Sequence, residues 1–129
     1  MARAKMGASY GWNGNYVESA TASFSLAVGD SGKAFILKDA AVTVTLPSLS
    51  DIEAGYSVKL ISGDDSEHVI AGADSKLYGT IVQVTSSAAN ERIAAASGYT
   101  LAAGEIGDMF DIVSDGTNWY ISGFTNAGA

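Results

Sequence analysis

Cysteine is missing from these 129 residues, and proline and histidine occur once each, as Pro47 and His68. Without cysteine there can be no disulfide, no thiolate nucleophile and no thiolate metal site. Stability must therefore come from core burial, sheet pairing or oligomerisation. Charged residues make up only 16% of the chain, and no apolar run approaches the roughly 18 residues that span a bilayer. The N-terminus, "MARAKMGASYGW", has two cations with no apolar segment behind them, a poor secretory signal. It points to synthesis in a cytoplasm and to exit, if any, by packaging or lysis.

Positive charge is also scarce. Net charge is −7, and all 14 carboxylates lie from Glu18 onward, against five cations there. A body this acidic repels nucleic-acid phosphates. Arg3 and Lys5 are the only charges before Glu18, so a short basic tail precedes an acidic body and could meet an acidic neighbour. What is abundant is small and apolar. At 47% hydrophobic content the composition is that of one globular domain.

Residues 1–17 show neither period 2 nor period 3.6. "GASYGWNGNY" sets Tyr10, Trp12 and Tyr16 among Gly and Asn. This reads as an extended arm whose aromatics either anchor on another surface or fold back on their own domain. Residues 18–129 form the β-domain.

From residue 21 the period becomes 2. Phe24, Leu26 and Val28 alternate with small residues; "GDSG" (Gly29 to Gly32) is a turn; Lys33 to Lys38 reads as the returning strand. Val42, Val44 and Leu46 share one face, Thr43 and Thr45 the other, and Pro47 ends that strand. Ser48 to Gly55 is the best short-helix segment, with a serine to cap it and Gly55 to end it. Alternation resumes through Tyr56, Val58 and Leu60; "HVIAG" reads as a short strand and "YGTIVQVTS" as another, its pattern made ambiguous by Ile81 and Val82. Residues 86–97, alanine-rich and flanked by Ser and Gly, read as a loop with helical turns. Phe110 and Ile112 alternate with Asp111; Asp115-Gly116 signals a type I′ hairpin turn; Trp119 and Ile121 share one face of the last strand, with Tyr120 on the other. Eight to ten short strands imply an all-β, single-domain sandwich or barrel, jelly-roll- or β-tulip-like, with an N-terminal arm.

Little of this carries chemistry. His68 follows Asp64, Asp65 and Glu67, but adjacent acids point apart in a strand and the calcium-loop pattern is absent. A solvated hairpin end is the simpler reading. "GASYG" (Gly7 to Gly11) formally matches the G-x-S-x-G nucleophile elbow, without the strand before it or the helix after it that the motif needs. No phosphate-binding glycine motif is present. Trp119 and Tyr120 could line a sugar groove, though aromatics on strands mostly pack. The chain is read as no enzyme, with no cofactor, metal, nucleic-acid or membrane partner.

The order "VTVTLPSLSDIEAGYSVKLIS … YTLAAGEIGDMFDIVSDGTNWYISG" resembles a β-structured module of tailed-phage virion proteins, found in head decoration proteins and in fibre proteins. The matching elements are a strand ending at Leu46-Pro47, Gly55-Tyr56 opening the next, a Gly104-Glu105 turn, and the hairpin Ser114 to Gly123. The likeness spans roughly residues 33–123. It implies a homotrimer with a structural or adhesive role. So short a chain resembles a capsid decoration (cement) protein more than a fibre. The resemblance thus implies a major capsid protein as partner, a place on the capsid surface of the virion after assembly in the host cytoplasm, and a mechanism of binding. The arm departs from the shared pattern, so Arg3, Lys5, Tyr10, Trp12 and Tyr16 are the expected capsid or subunit contacts. The alternative is a tail- or head-fibre or carbohydrate-binding adhesin module whose partner is a host-surface glycan. A small hydrolase using His68 or Asp64/Asp65 is a third reading, with no activated nucleophile or base to support it.

Overall fold

A computed structural model describes residues 16–83, 90–101 and 105–125. It is all-β, as expected: among the described residues there are eleven strands in two sheets and two short 3-10 turns. The strands are β1 (Val17–Ala20), β2 (Phe24–Ser25), β3 (Ala34–Leu37), β4 (Thr43–Thr45), β5 (Ser57–Ser62), β6 (His68–Ala71), β7 (Leu77–Gln83), β8 (Glu91–Ala96), β9 (Tyr99–Leu101), β10 (Met109–Ser114) and β11 (Trp119–Thr125). The larger sheet runs β1-β3-β5-β10-β11-β7-β8 and the smaller β2-β4-β6-β9.

The first half of the chain coils. Strands β1, β3 and β5 lie side by side and parallel in the large sheet; β2, β4 and β6 do the same in the small one. Each short loop carries the chain from one sheet to the other, so every turn of the coil adds one strand to each. Ala34–Leu37 is therefore not the returning arm of a hairpin from Phe24: the two segments sit in different sheets. The reason is visible in the intervening loop. Val28 is not in a strand but in a 3-10 turn, Val28–Asp30, and is exposed, while the Asp30 carboxylate accepts the Ala27 N–H at 2.8 Å and turns the chain out of its sheet. The second half closes the sandwich with antiparallel pairs, β5 to β10, β10 to β11, β6 to β9 and β7 to β8, and one parallel pair, β11 to β7. Five of the nine pairings are parallel, unlike an antiparallel jelly roll.

One core lies between the sheets. Val42, Val44 and Leu46 face it from the strand before Pro47, and Leu60, Ile112 and Trp119 face it from the large sheet, all nearly or wholly buried. The Trp119 ring meets Tyr56 edge-on, with centroids 5.7 Å apart and planes at 87°. Each such side chain contributes on the order of 2 kcal/mol by leaving water.

Three local expectations change. The segment after Pro47 is a single 3-10 turn, Leu49–Asp51, with Ser48 before it making no side-chain cap bond. Glu91–Ala96, within the stretch read as loop and helical turns, is a strand paired with β7; residues 84–89 lie outside those described. Alanine's helical preference is worth only tenths of a kcal/mol per residue over ordinary residues, less than a full ladder plus burial of Ile93. The turn after β10 is a four-residue loop, Asp115 to Asn118, in which only Gly116 has positive φ. Asp115 Oδ1 accepts the N–H groups of Thr117 and Asn118 at 2.9 and 2.8 Å, so a side chain, not a type I′ backbone, shapes it.

Candidate functional site

The ionisable cluster around His68 is the first place to look for chemistry. Strand β6 points His68 inward, and it is 3% exposed rather than solvated at a hairpin end. The Val42 N–H donates to Nδ1 at 3.2 Å. Nε2 therefore carries the proton and donates to Asp64 Oδ1 at 3.0 Å. The other carboxylate oxygen of Asp64 accepts the Asp39 N–H at 2.6 Å, holding that residue at φ 72, a left-handed conformation a non-glycine residue adopts only at a cost. Asp65, by contrast, is exposed, and the two adjacent acids lie in a bend, not in a strand.

This is a clamp, not a catalytic pair. The one lone pair a general base would use is occupied by a backbone donor. Ser62, the nearest buried hydroxyl in the sequence, donates its O–H to the Asp64 carbonyl at 2.7 Å, not to His68. The cavity beside His68 is about 10 Å³ and walled by Leu37, Leu60, Ile70, Tyr99 and Phe110, room for no more than one water. Among the described residues no group of three His, Asp or Glu could hold a metal, and no helix is long and apolar enough to cross a membrane.

The clamp predicts an acid response. Burial pushes the Asp64 carboxyl up, but the Ser66 and Asp39 N–H groups and His68 outweigh it and hold it below 3.8. Asp115 is held down in the same direction by the Asn118 and Thr117 N–H groups. A carboxyl whose folded pKa is depressed adds stability above its unfolded pKa and loses it as pH falls through the folded value. In urea titrations Asp64→Asn should be less stable than wild type at pH 7, with the gap closing as pH drops below about 4. An unchanged gap at pH 3 would show that the carboxylate's charge does not matter.

Surfaces offer more. Register across the large sheet places Ile36, Ile61, Met109, Phe124 and Val82 in one row on its outer side. A middle row holds Ala34, Lys59, Asp111, Ser122 and Thr80, and a third Ser57, Val113, Tyr120 and Tyr78. Phe124 is 61% exposed, Val113 43%, Met109 42% and Tyr120 39%. The small sheet's outer side, read the same way, shows Ser25, Thr43, Thr45 and Thr100 beside Val69 and Ala71. Exposed large apolar side chains are concentrated on the large sheet's outer side.

The apolar face carries a hollow of about 330 Å³, floored by Ala34 and Ser57 and rimmed by Tyr16, Lys59, Asp111 and Val113. Lys59 and Asp111 form an exposed ion pair at 3.5 Å. Lys33, also on the hollow, is bound to Glu18 at 2.6 Å and Asp30 at 3.0 Å, and those bonds raise its pKa and neutralise its charge locally. A second, open groove of about 500 Å³ at one end of the sandwich is lined by Ser48, Ser50, Asp74, Lys76 and Thr117, with Trp119 at its base.

Of the arm residues expected to make contacts, Arg3, Lys5, Tyr10 and Trp12 lie outside the described residues, as does "GASYG". Tyr16 is described: it is 51% exposed, its carbonyl accepts the Ala34 N–H at 2.6 Å, and its side chain rims the hollow. Trp119 is wholly buried, the packing role read for it, and Tyr120 stands on the outer face. Met109, Val113 and Phe124 were missing from the expected contacts. Their signal is in the sequence: "MFDIV" (Met109 to Val113) is apolar at four of five positions, on both sides of a strand that needs only one. The chain matches no family model and no curated protein.

Proposed function

We propose that this chain is a structural virion protein, a capsid decoration protein that sits on the outside of the shell as a homotrimer and stabilises it. The observation that carries this reading is the set of exposed apolar side chains, Met109, Val113, Tyr120 and Phe124, on the outer face of the large sheet, on a domain whose buried histidine and buried carboxylate among the described residues, His68 and Asp108, are each hydrogen-bonded to neighbours. Such a domain works through its surface. The order of elements shared with phage virion modules supplies the class of partner, the major capsid protein. A multimer bridging several shell subunits gains avidity from weak single contacts. It stabilises the shell by mass action because it binds assembled subunits and not free ones. The acidic body keeps nucleic acid away.

A fibre or adhesin module is the second reading, favoured by the open groove. Its hydroxyls at Ser48, Ser50 and Thr117, with Asp74, offer the donors and acceptors a sugar needs. Asp74 and Ser75 at φ 52 and 60 are strained there, as residues at binding sites often are.

Purified protein mixed with capsids of the encoding virus, stripped of surface proteins, should sediment with them at a stoichiometry in multiples of three. Protein that stays in the supernatant while binding a polysaccharide array would replace this reading with the adhesin one.

A further inference from the structure

We propose that the hollow on the large sheet's outer face is the seat of the chain's own residues 2–15, with Trp12 in the hollow and Arg3 and Lys5 over the carboxylates around it. The hollow is a socket made by small residues. Gly32, Ala34 and Ser57 leave a gap among the larger Tyr16, Lys59 and Val113. A dry cavity of ~150 Å³ already holds a benzene ring. At about 330 Å³ this one has room for an indole. Val113 and its cross-strand partner Tyr120 stand beside it, 43% and 39% exposed.

Attachment, reach and charge make this segment the occupant. The Tyr16 side chain lines the hollow and its carbonyl accepts the Ala34 N–H at 2.6 Å, so residues 2–15 join the domain at the hollow's own rim. The hollow lies over β3, β5 and β10, which are one, two and three strands in from β1, or about 5–15 Å. Trp12 is four residues before Tyr16, up to ~13 Å of extended chain. Lys5 is eleven residues before it, up to ~36 Å, more than the ~29 Å width of the whole sheet. Around the hollow, Lys33 and Lys59 meet four carboxylates: Glu18 and Asp30 on Lys33, Asp111 on Lys59, and Asp115, which accepts the Tyr120 hydroxyl at 3.0 Å. Two cations against four carboxylates leave a deficit of two. Arg3 and Lys5, the only charges before Glu18, match it. A tethered segment is present at an effective concentration on the order of millimolar. Contacts too weak to hold a separate molecule therefore hold this one. Met109 and Phe124, at the other end of the β10–β11 pair, stay clear for a partner. Nothing in this inference rests on the virion role.

Acrylamide quenching of the full chain tests this. Of the two tryptophans, Trp119 is 0% exposed, so the quencher reads Trp12. A seated Trp12 should emit to the blue and resist quenching. Val113→Glu, which sets a charge on the hollow's rim, should shift emission to the red and raise the quenching constant several-fold. Circular dichroism should show its fold intact, because Val113 is already partly in water. Thr100→Glu on the small sheet should change neither readout. Which copy supplies the segment is read from a disulfide, since the chain has no cysteine of its own. Mild oxidation of the Asn13→Cys, Ser57→Cys double variant should give a link within one chain, of monomer mass under denaturing conditions. Adding Val113→Glu should slow that link several-fold. Covalent multimers would assign the hollow to a neighbour's segment, and a wild-type Trp12 quenched as readily as in Val113→Glu would leave it without this occupant; either result overturns the proposal. Neither readout involves a capsid, so a protein that ignores capsids sinks the virion reading alone.

Discussion

Trp119→Ala should cost about 3–5 kcal/mol, the usual loss for emptying a buried aromatic site. The side chain is 0% exposed, and its neighbours cannot close over the space. Trp119 starts β11, whose two flanks are both paired, to β10 and to β7, so the backbone on either side is fixed by ladders. Its N–H also donates to the Lys76 carbonyl at 2.8 Å. The cavity would strip one side of Tyr56, whose hydroxyl donates to the Ala27 carbonyl at 2.7 Å and whose pKa burial lifts to about 12. Damage would thus spread from the large sheet into the loop between β2 and β3. For a domain whose whole stability is of the order of 5–15 kcal/mol, and which has no disulfide, that is a large share. Thermal unfolding by circular dichroism should show Tm lower by roughly 10–20 °C, measured at one protomer concentration because association shifts Tm. Trp119→Phe, which keeps a ring against Tyr56, should lose markedly less. A loss under about 1 kcal/mol for the alanine variant would mean the core is not organised around this ring.

The strands legible in the sequence are those with one polar side and one buried side. Strand β4 reads directly, because Val44 and its flanking Val42 and Leu46 are buried while Thr43 and Thr45 are half-buried on the other face. Strand β5 alternates without a break. The all-β class follows from such segments alone. The coil of parallel strands does not, because parallel neighbours are joined through the opposite sheet and leave no hairpin signature between them. Strand β8 hides for a different reason. Its register against β7 slips between Leu77 and Gly79, and Ala95 takes φ 51 at the slip. This bulge breaks the period-2 pattern that identifies a strand. With Glu91 and Arg92 exposed, it also blunts an edge that would otherwise invite further strands. Of the expected contact residues only Tyr16 is among those described, and it lines the hollow. Met109, Val113 and Phe124 escape a reading by alternation, because alternation marks the core-facing side. Their excess apolar character on the outer side needs the sheet order before it forms a row.

Gly79→Ala should be the most damaging single-methyl change, costing roughly 2–4 kcal/mol from overpacking and backbone strain together. Gly79 sits mid-strand in β7 at φ 154, opposite Ile121 of β11 on one side and Ile93 of β8 on the other. A Cβ built there would overlap the Ile121 carbonyl oxygen. That oxygen is backbone in a paired strand, so it cannot swing aside as a side-chain tip could. Relief requires either pushing β11 away from β7, which opens the ladder that carries Trp119, or rotating Gly79 to negative φ, which disturbs the bulged register with β8. Both routes break hydrogen bonds among the most buried residues of the chain, since Leu77 and Ile81 on either side are 0% exposed. Gly29→Ala is the matched control: its φ is ordinary and nothing lies within 4 Å of a Cβ placed there, so its effect should stay within about 0.5 kcal/mol. Urea midpoints for the two variants should therefore separate clearly at equal m-values. Equal midpoints would mean that β7 and β11 are not packed backbone to backbone at this position. The parallel pairing that joins the closing hairpin to the rest of the large sheet would then be wrong.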